Sequence, residues 1–255
     1  MCLIAFAWRA HPDYPLILAA NRDEFHGRPA EPLHWWPDGA GLLAGRDLQA
    51  GGTWLGVSRT RRLATVTNYR EDLGRQRRNR SRGELVTGFL TAAETPLRYC
   101  SSIDPPAFAG FSLLAMEGDE MAYVSNRGDD PRALAPGIYG LSNASLDTPW
   151  CKVLRSKATL GSLLQKVEQG AFDPEPLFLM LRDTEPAPTD DYAGTELPPE
   201  LARAVSAPFI STPDYGTRCS TVVLVGASGT VEMHERRFGR SGAPEGEARF
   251  TFESR

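Results

Sequence analysis

A cysteine stands second in this chain, at the head of the apolar run MCLIAF. Methionine ahead of so small a residue is normally excised, which would leave Cys2 first, with a free α-amine. That amine titrates near ~7.7–8.0 and an unperturbed thiol near ~8.5, so the amine can take the thiol proton at neutral pH. One residue then supplies nucleophile and base together, as an amino-terminal threonine does in N-terminal threonine enzymes. Such a centre needs a cation that favours thiolate, a carboxylate that orients the amine, and donors for an oxyanion. In ANRDEF, Arg22 suits the thiolate and Asp23 the amine. Asn68 in TVTNYR and Asn143 in GLSNAS each follow an expected strand and could donate to an oxyanion, while Arg218 in YGTRCS adds positive charge. Each has a plainer reading as well. Cys2 would be a strand residue, Arg22 and Asp23 a surface ion pair worth little, and the asparagines turn residues.

Residues 2–8 and 16–20 are β-rich runs joined by RAHPDYP, a hairpin that sets the end of ANRDEF beside the start of the first strand. Further strands are expected over 42–47, 53–58, 62–68, 111–117, 121–126 and 137–143, and three more over 220–226, 230–238 and 248–254. Ser81 and Glu84 have capping-box spacing ahead of ELVTGFL, so a helix begins there. Thr148 and Pro149 open a second helix reaching about Gln169, and PEPLFLMLRD makes a third. Residues 184–199, rich in Pro, Asp and Thr, read as a surface loop. Strands, helix, strands, helices, strands is not the alternation of a doubly wound sheet. It predicts an α+β protein, two mainly antiparallel sheets flanked by helices, in one domain over 1–255.

Composition narrows the partners. Net charge is -4, which disfavours a general nucleic-acid binder. No apolar stretch nears the roughly 20 residues that cross a bilayer. Integral membrane association is therefore not expected, and Arg9, His11 and Asp13 interrupt the first apolar run too early for a secretion signal. The expected location is cytoplasmic. The four cysteines form no CxxC pair, which suggests neither a metal site nor a disulfide framework. Nine arginines crowd 59–82: Arg59, Arg61, Arg62, Arg70, Arg75, Arg77, Arg78, Arg80 and Arg82. They are either a solvated loop or a rim for an anionic ligand.

NRDEF at 21–25, GGTWLGVSRTRRLATVTNYRE at 51–71, SRGELV at 81–86 and PGIYGLSNASLDTPWCKV at 136–153 together resemble the NRDE family, also called the transport-and-Golgi-organization family. The resemblance implies the N-terminal nucleophile (Ntn) hydrolase superfamily and its four-layer αββα sandwich. Its enzymatic cousins look like the penicillin V acylases and bile salt hydrolases, which cleave amides with an amino-terminal cysteine. Their pattern falls here on Cys2, Arg22, Asp23, Asn68, Asn143 and Arg218. The cousins separate their Arg and Asp, whereas Arg22 and Asp23 are adjacent. Adjacent strand residues face opposite ways, so both reach one site only through a bend or bulge, and Asn21 is an alternative to either. Phe25, Trp54 and Tyr139 are candidate pocket walls, or simply core.

The reaction implied is hydrolysis of a linear or cyclic acyl amide through an acyl-Cys2 thioester, with no cofactor or metal required. The competing reading is a carrier of a hydrophobic anionic ligand, haem or an acyl-lipid or acyl-CoA, as implied by the eukaryotic relatives. Haem would draw its axial ligands from Cys2, His11, His26, His34 and His234. The absence of CxxCH removes covalent attachment.

Overall fold

The run LIAFAW is buried at every residue and forms strand β1 (Leu3–Trp8), and LILAANRDEF forms β2 (Leu16–Phe25), antiparallel to it. This is a computed structural model that describes residues 3–38, 41–70, 80–166, 172–188 and 197–253. The chain continues through β3 (Ala30–Trp35), β4 (Leu42–Asp47), β5 (Leu55–Ser58) and β6 (Leu63–Asn68) to the helices α1 (Gly83–Thr91) and α2 (Pro96–Ser102). Strands β7 (Phe111–Glu117), β8 (Glu120–Ser125), β9 (Asp129–Ala133) and β10 (Gly137–Leu141) follow. Helices α3 (Cys151–Leu164), α4 (Glu175–Leu181) and α5 (Pro199–Ser206) precede the closing strands β11 (Tyr215–Val225), β12 (Thr230–Phe238) and β13 (Pro244–Glu253). Contacts divide these elements into two units, each discontinuous in sequence.

The first unit comprises Met1–Gly27, Pro136–Leu141 and Leu146–Thr251. Its six-stranded sheet has the order β10-β1-β2-β11-β12-β13. Strand alternation sends Leu3, Ala5, Ile17 and Ala19 to one face, where they pack against Val153 and Leu160 of α3 and Leu177 and Leu181 of α4. Each such leucine or valine, fully buried, contributes about 1.5–3 kcal/mol. The α3 helix starts later than expected, at Cys151, with Trp150 still extended. Ahead of it Asp147 takes φ of 60°, its carboxylate accepting from the Gly140 N–H (2.8 Å) and from Lys157 Nζ (2.7 Å). That clamp holds residues 147–150 out of the helix.

The second unit comprises Arg28–Ala135, Ser142–Ser145 and Phe252–Arg255. Its seven-stranded sheet runs β3-β4-β5-β6-β7-β8-β9, every strand beside its successor. Phe89, Leu85 and Val86 of α1 pack on Val66, Leu113 and Ala115 of this sheet. Half of the capping box is formed: the Ser81 N–H donates to Glu84 Oε1 (2.7 Å), while Ser81 Oγ accepts from the Gly83 N–H (3.2 Å) rather than from that of Glu84. The two outer strands, β3 and β9, escaped the sequence reading because Pro32 and Pro131 sit inside them. A proline cannot donate to a ladder and is tolerated only at an edge, which is where both strands lie.

The arginine run separates in the same unit. Arg62 is buried; its guanidinium donates to the carbonyls of Phe89 (3.1 Å) and Glu94, pairs with Glu117, and lies 4.1 Å over the Phe89 ring. It ties the last turn of α1 to the segment that follows it and to β7, so it is a structural bolt. Arg59 stacks on Trp35 at 4.0 Å, and Arg82 donates to the Gly110 carbonyl (3.2 Å). Arg75, Arg77 and Arg78 lie outside the described residues.

Two of the sequence motifs meet backbone to backbone. A Cβ on Gly52 would lie 2.6 Å from the carbonyl carbon of Gly83, so GGTW and SRGELV touch through their glycines. Overpacking costs about 1–3 kcal/mol, and a backbone contact cannot swing aside. Gly52→Ala should therefore destabilise by about 2–3 kcal/mol, measured by urea unfolding. An unchanged midpoint would mean that this contact is looser than it is drawn.

Candidate functional site

Cys2 and Met1 lie outside the described residues. The residues expected around them fall into two groups, one in each unit. In the first unit, Leu3 pairs with Asn21, and β2 runs on through Arg22 and Asp23 without a bend. The irregularity is in the neighbouring strand. The register of β11 against β2 shifts between Thr217 and Cys219, so Thr217 faces Asp23, Cys219 faces Arg22, and Arg218 is the extra residue.

Arg22 and Asp23 are only 4% and 2% exposed, which rules out a surface ion pair. Charges so deep persist only where the surroundings compensate them. Asp23 Oδ1 accepts from the Thr217 hydroxyl at 2.6 Å, and Thr217 Oγ1 in turn accepts from the Ile210 N–H at 2.9 Å. On the other face Arg22 lies by Cys219, whose thiol is pushed well up by burial and then by Glu235, with Arg22 opposing. Cys219 is thus a protonated, inert thiol. Arg218 donates to the carbonyls of Phe25 (3.2 Å) and His26 (3.1 Å), holding the end of β2.

Asn21 shares the helix-facing side with Leu3 and Ala19. Its amide nitrogen donates to the carbonyls of Leu181 and Pro208, both at 2.8 Å, and its oxygen accepts from the Ser220 hydroxyl at 2.6 Å. Both amide donors are therefore committed to the framework. Phe25 is 60% exposed and meets Tyr215 edge-on at 5.2 Å, while Tyr139 stacks on Phe6 at 5.2 Å. Thr217 and Ser220, which hold Asp23 and Asn21, had no signal in the sequence beyond lying near Arg218.

In the second unit the structure brings Asn68 and Asn143 together. Asn143 Nδ2 donates to the Asn68 carbonyl at 2.9 Å, and the Arg70 N–H donates to the Asn143 carbonyl at 2.7 Å. Trp54 is buried, and its carbonyl accepts from the Val66 N–H (2.9 Å) and Thr65 Oγ1 (3.0 Å).

The histidines do not converge. His11 Nδ1 accepts from the Asp13 N–H, His34 lies between the Pro32 carbonyl and Glu31, and His26 Nε2 is 3.3 Å from the Thr212 carbonyl. His234 sits 3.2 Å from Glu232, and burial pulls its pKa down against the carboxylate. Two cavities in the first unit, of about 340 and 300 Å³, are lined by no histidine or cysteine. Among the described residues no three His, Cys, Asp or Glu side chains cluster as metal ligands. No helix among the described residues is long and apolar enough to cross a membrane.

Two antiparallel sheets with helices against them form an Ntn-hydrolase-like α+β fold, the architecture expected from the sequence. The chain is similar in structure to the Caenorhabditis elegans N-acylethanolamine-hydrolyzing acid amidase ortholog, with a TM-score of 0.50 over 88% of this chain and 92% of that one. Identity is 11%, so this likeness establishes the fold alone. The family model described as Transport and Golgi organisation 2 matches residues 1–240. The chain is 40% identical over 260 residues to the Transport and Golgi organization protein 2 homolog of Bos taurus and 39% over 261 to that of Homo sapiens, covering 92% of each chain in both comparisons. It is 25% identical over 259 residues to Transport and Golgi organization protein 2 of Drosophila melanogaster. The chain belongs to the Transport and Golgi organisation 2 family.

Proposed function

We propose that this protein is an amino-terminal cysteine amidohydrolase that cleaves the C–N bond of a non-peptide acyl amide. One observation carries the reading. The ladder rung Leu3–Asn21 is followed on β2 by Arg22 and Asp23, two charges buried where the chain begins. A fold has no stability reason to place them there, because well-packed apolar residues would cost less. A nucleophile at that end needs a cation that favours its thiolate, the part Arg22 supplies.

In this mechanism the α-amine of Cys2 accepts the thiol proton, and the thiolate attacks the amide carbonyl carbon. The tetrahedral adduct collapses, the C–N bond breaks, and the ammonium proton goes to the leaving nitrogen, which departs as free amine. The amine then takes a proton from water, hydroxide attacks the thioester, and the acid leaves as the thiol is restored. Arg22 favours the thiolate, while Asp23, on the opposite face of β2 and held by Thr217, serves to fix the strand that carries Arg22. The named reaction of the structural neighbour, hydrolysis of an N-acylethanolamine, is amide cleavage and supports this class.

The test is intact mass and amino-terminal peptide mapping, with and without iodoacetamide. The expected result is loss of Met1 and alkylation of Cys2 ahead of Cys100 and Cys219, which are buried. Retention of Met1 on folded protein would remove the base and with it this mechanism, leaving a ligand-carrying role for the scaffold.

A further inference from the structure

A sheet edge leaves a row of backbone donors and acceptors unpaired, and proteins block it with proline, with shortness or with a cover. The two sheets have four edge strands, β3 and β9 in one and β10 and β13 in the other. Pro32 and Pro131 interrupt β3 and β9, and β10 is only five residues long. The fourth edge has no such block. Strand β13 runs for ten residues, its only proline is the first of them, Pro244, and no described strand pairs with its outer side.

The side chains of β13 divide by face. Ala248, Phe250 and Phe252 are half-buried, and the alternate residues Glu245, Glu247, Arg249 and Thr251 are exposed. Glu247 accepts from Arg236 Nε at 3.1 Å, and Arg249 reaches Glu232 Oε2 at 3.0 Å. Both therefore lie on the face that Arg236 shares with Phe178 of α4. Their side chains are still 70% and 67% exposed, so each keeps an open flank that looks out from the sheet edge.

Such an edge can pair with a copy of itself, antiparallel about a two-fold axis normal to the sheet, and charge then selects the register. With Ala248 opposite Ala248, Glu247 faces the partner's Arg249 and Arg249 faces the partner's Glu247. Gly246 stands opposite the partner's Phe250, an arrangement in which the ring covers the glycine. Moving the axis to Glu247 sets glutamate on glutamate. Moving it to Arg249 sets arginine on arginine and Glu245 on Glu253. Like charges directly opposite are destabilising, so the axis at Ala248 is favoured over both neighbours. We infer that β13 is a self-association surface, through which two copies of this chain join their six-stranded sheets edge to edge with Ala248 on the two-fold axis. A row of alternating charge then crosses the seam: Glu232, Arg249, the partner's Glu247 and the partner's Arg236. The surface is independent of the chemistry proposed at Cys2.

Sedimentation velocity of the full chain over the micromolar range should show a monomer–dimer equilibrium. Arg249→Glu turns two attractive rungs repulsive and should weaken the dimer by about tenfold or more. Its unfolding midpoint should move little, since an exposed ion pair adds little to stability. The register is tested by Ala248→Cys. Directly opposite Cα atoms stand about 4.5–5.5 Å apart, inside the roughly 4.4–6.8 Å that a disulfide spans. Mild oxidation should therefore give a covalent dimer in which peptide mapping finds position 248 joined to position 248. Thr251→Cys should not join to its own copy, because the two positions lie roughly 20 Å apart across the axis. A chain that stays monomeric at high micromolar concentration would overturn the proposal. So would a dimer indifferent to Arg249→Glu, or one that cross-links at 251 in place of 248.

Discussion

Cys2→Ala should lower the proposed hydrolysis of acyl amides by at least about a thousandfold, the scale on which removal of a covalent nucleophile acts. The substitution keeps the amine and deletes a single sulfur, so it should leave the unfolding midpoint nearly in place. What it removes is the atom that becomes bonded to the acyl carbon. Cys2→Ser should fall between the two, since an alcohol is far less acidic than a thiol and the amine is a poor base for it. The measurement is the initial rate of amine release from a panel of fluorogenic acyl amides. It is made on protein whose mass shows Met1 gone in both wild type and variant. A Cys2→Ala protein that keeps the wild-type rate would end the covalent mechanism outright.

Asn21→Leu should destabilise the protein by about 3–5 kcal/mol, the largest effect expected of any framework residue here. Asn21 is fully buried, and three groups depend on it: the carbonyls of Leu181 and Pro208, and the hydroxyl of Ser220. Leucine matches the volume and leaves all three without a partner. Each buried polar group so stranded costs about 1–3 kcal/mol. Ser220→Ala strands only the Asn21 oxygen, so its loss should be about 1–2 kcal/mol. The double variant should lose less than the sum, because the two side chains share one bond. Chemical unfolding of all three variants measures this. A loss below about 1 kcal/mol for Asn21→Leu would show that the carbonyls find other partners, and that Asn21 is free for another task.

Much of the fold was legible. The hairpin of β1 and β2, the capped α1 and the strand β12 were read from local chemistry: apolar runs, turn residues, and a Ser and Glu at the right spacing. What failed was also local in appearance. AEPLHW and DDPRA look like loops because of their prolines, and only a place at the sheet edge makes them strands. Arg62 and Arg59 look alike in the sequence. One is a buried bolt across α1 and the other a stacked surface residue, since burial depends on what crosses above each.

The site divides along the same line. By itself the sequence determined which reactive groups exist and their order along the chain: Cys2 second, Arg22 and Asp23 adjacent, two asparagines after strands, Arg218 late. It also determined that Arg22 and Asp23 must face opposite ways, because alternation along a strand is a property of the backbone. Only the tertiary structure decided that Asp23 and Asn21 take the helix-facing side and that the bulge falls at Arg218 on β11, opposite them rather than in β2. Those choices rest on register between segments nearly two hundred residues apart. Register is set by which side chains the packed faces admit, and no short stretch of sequence contains both partners.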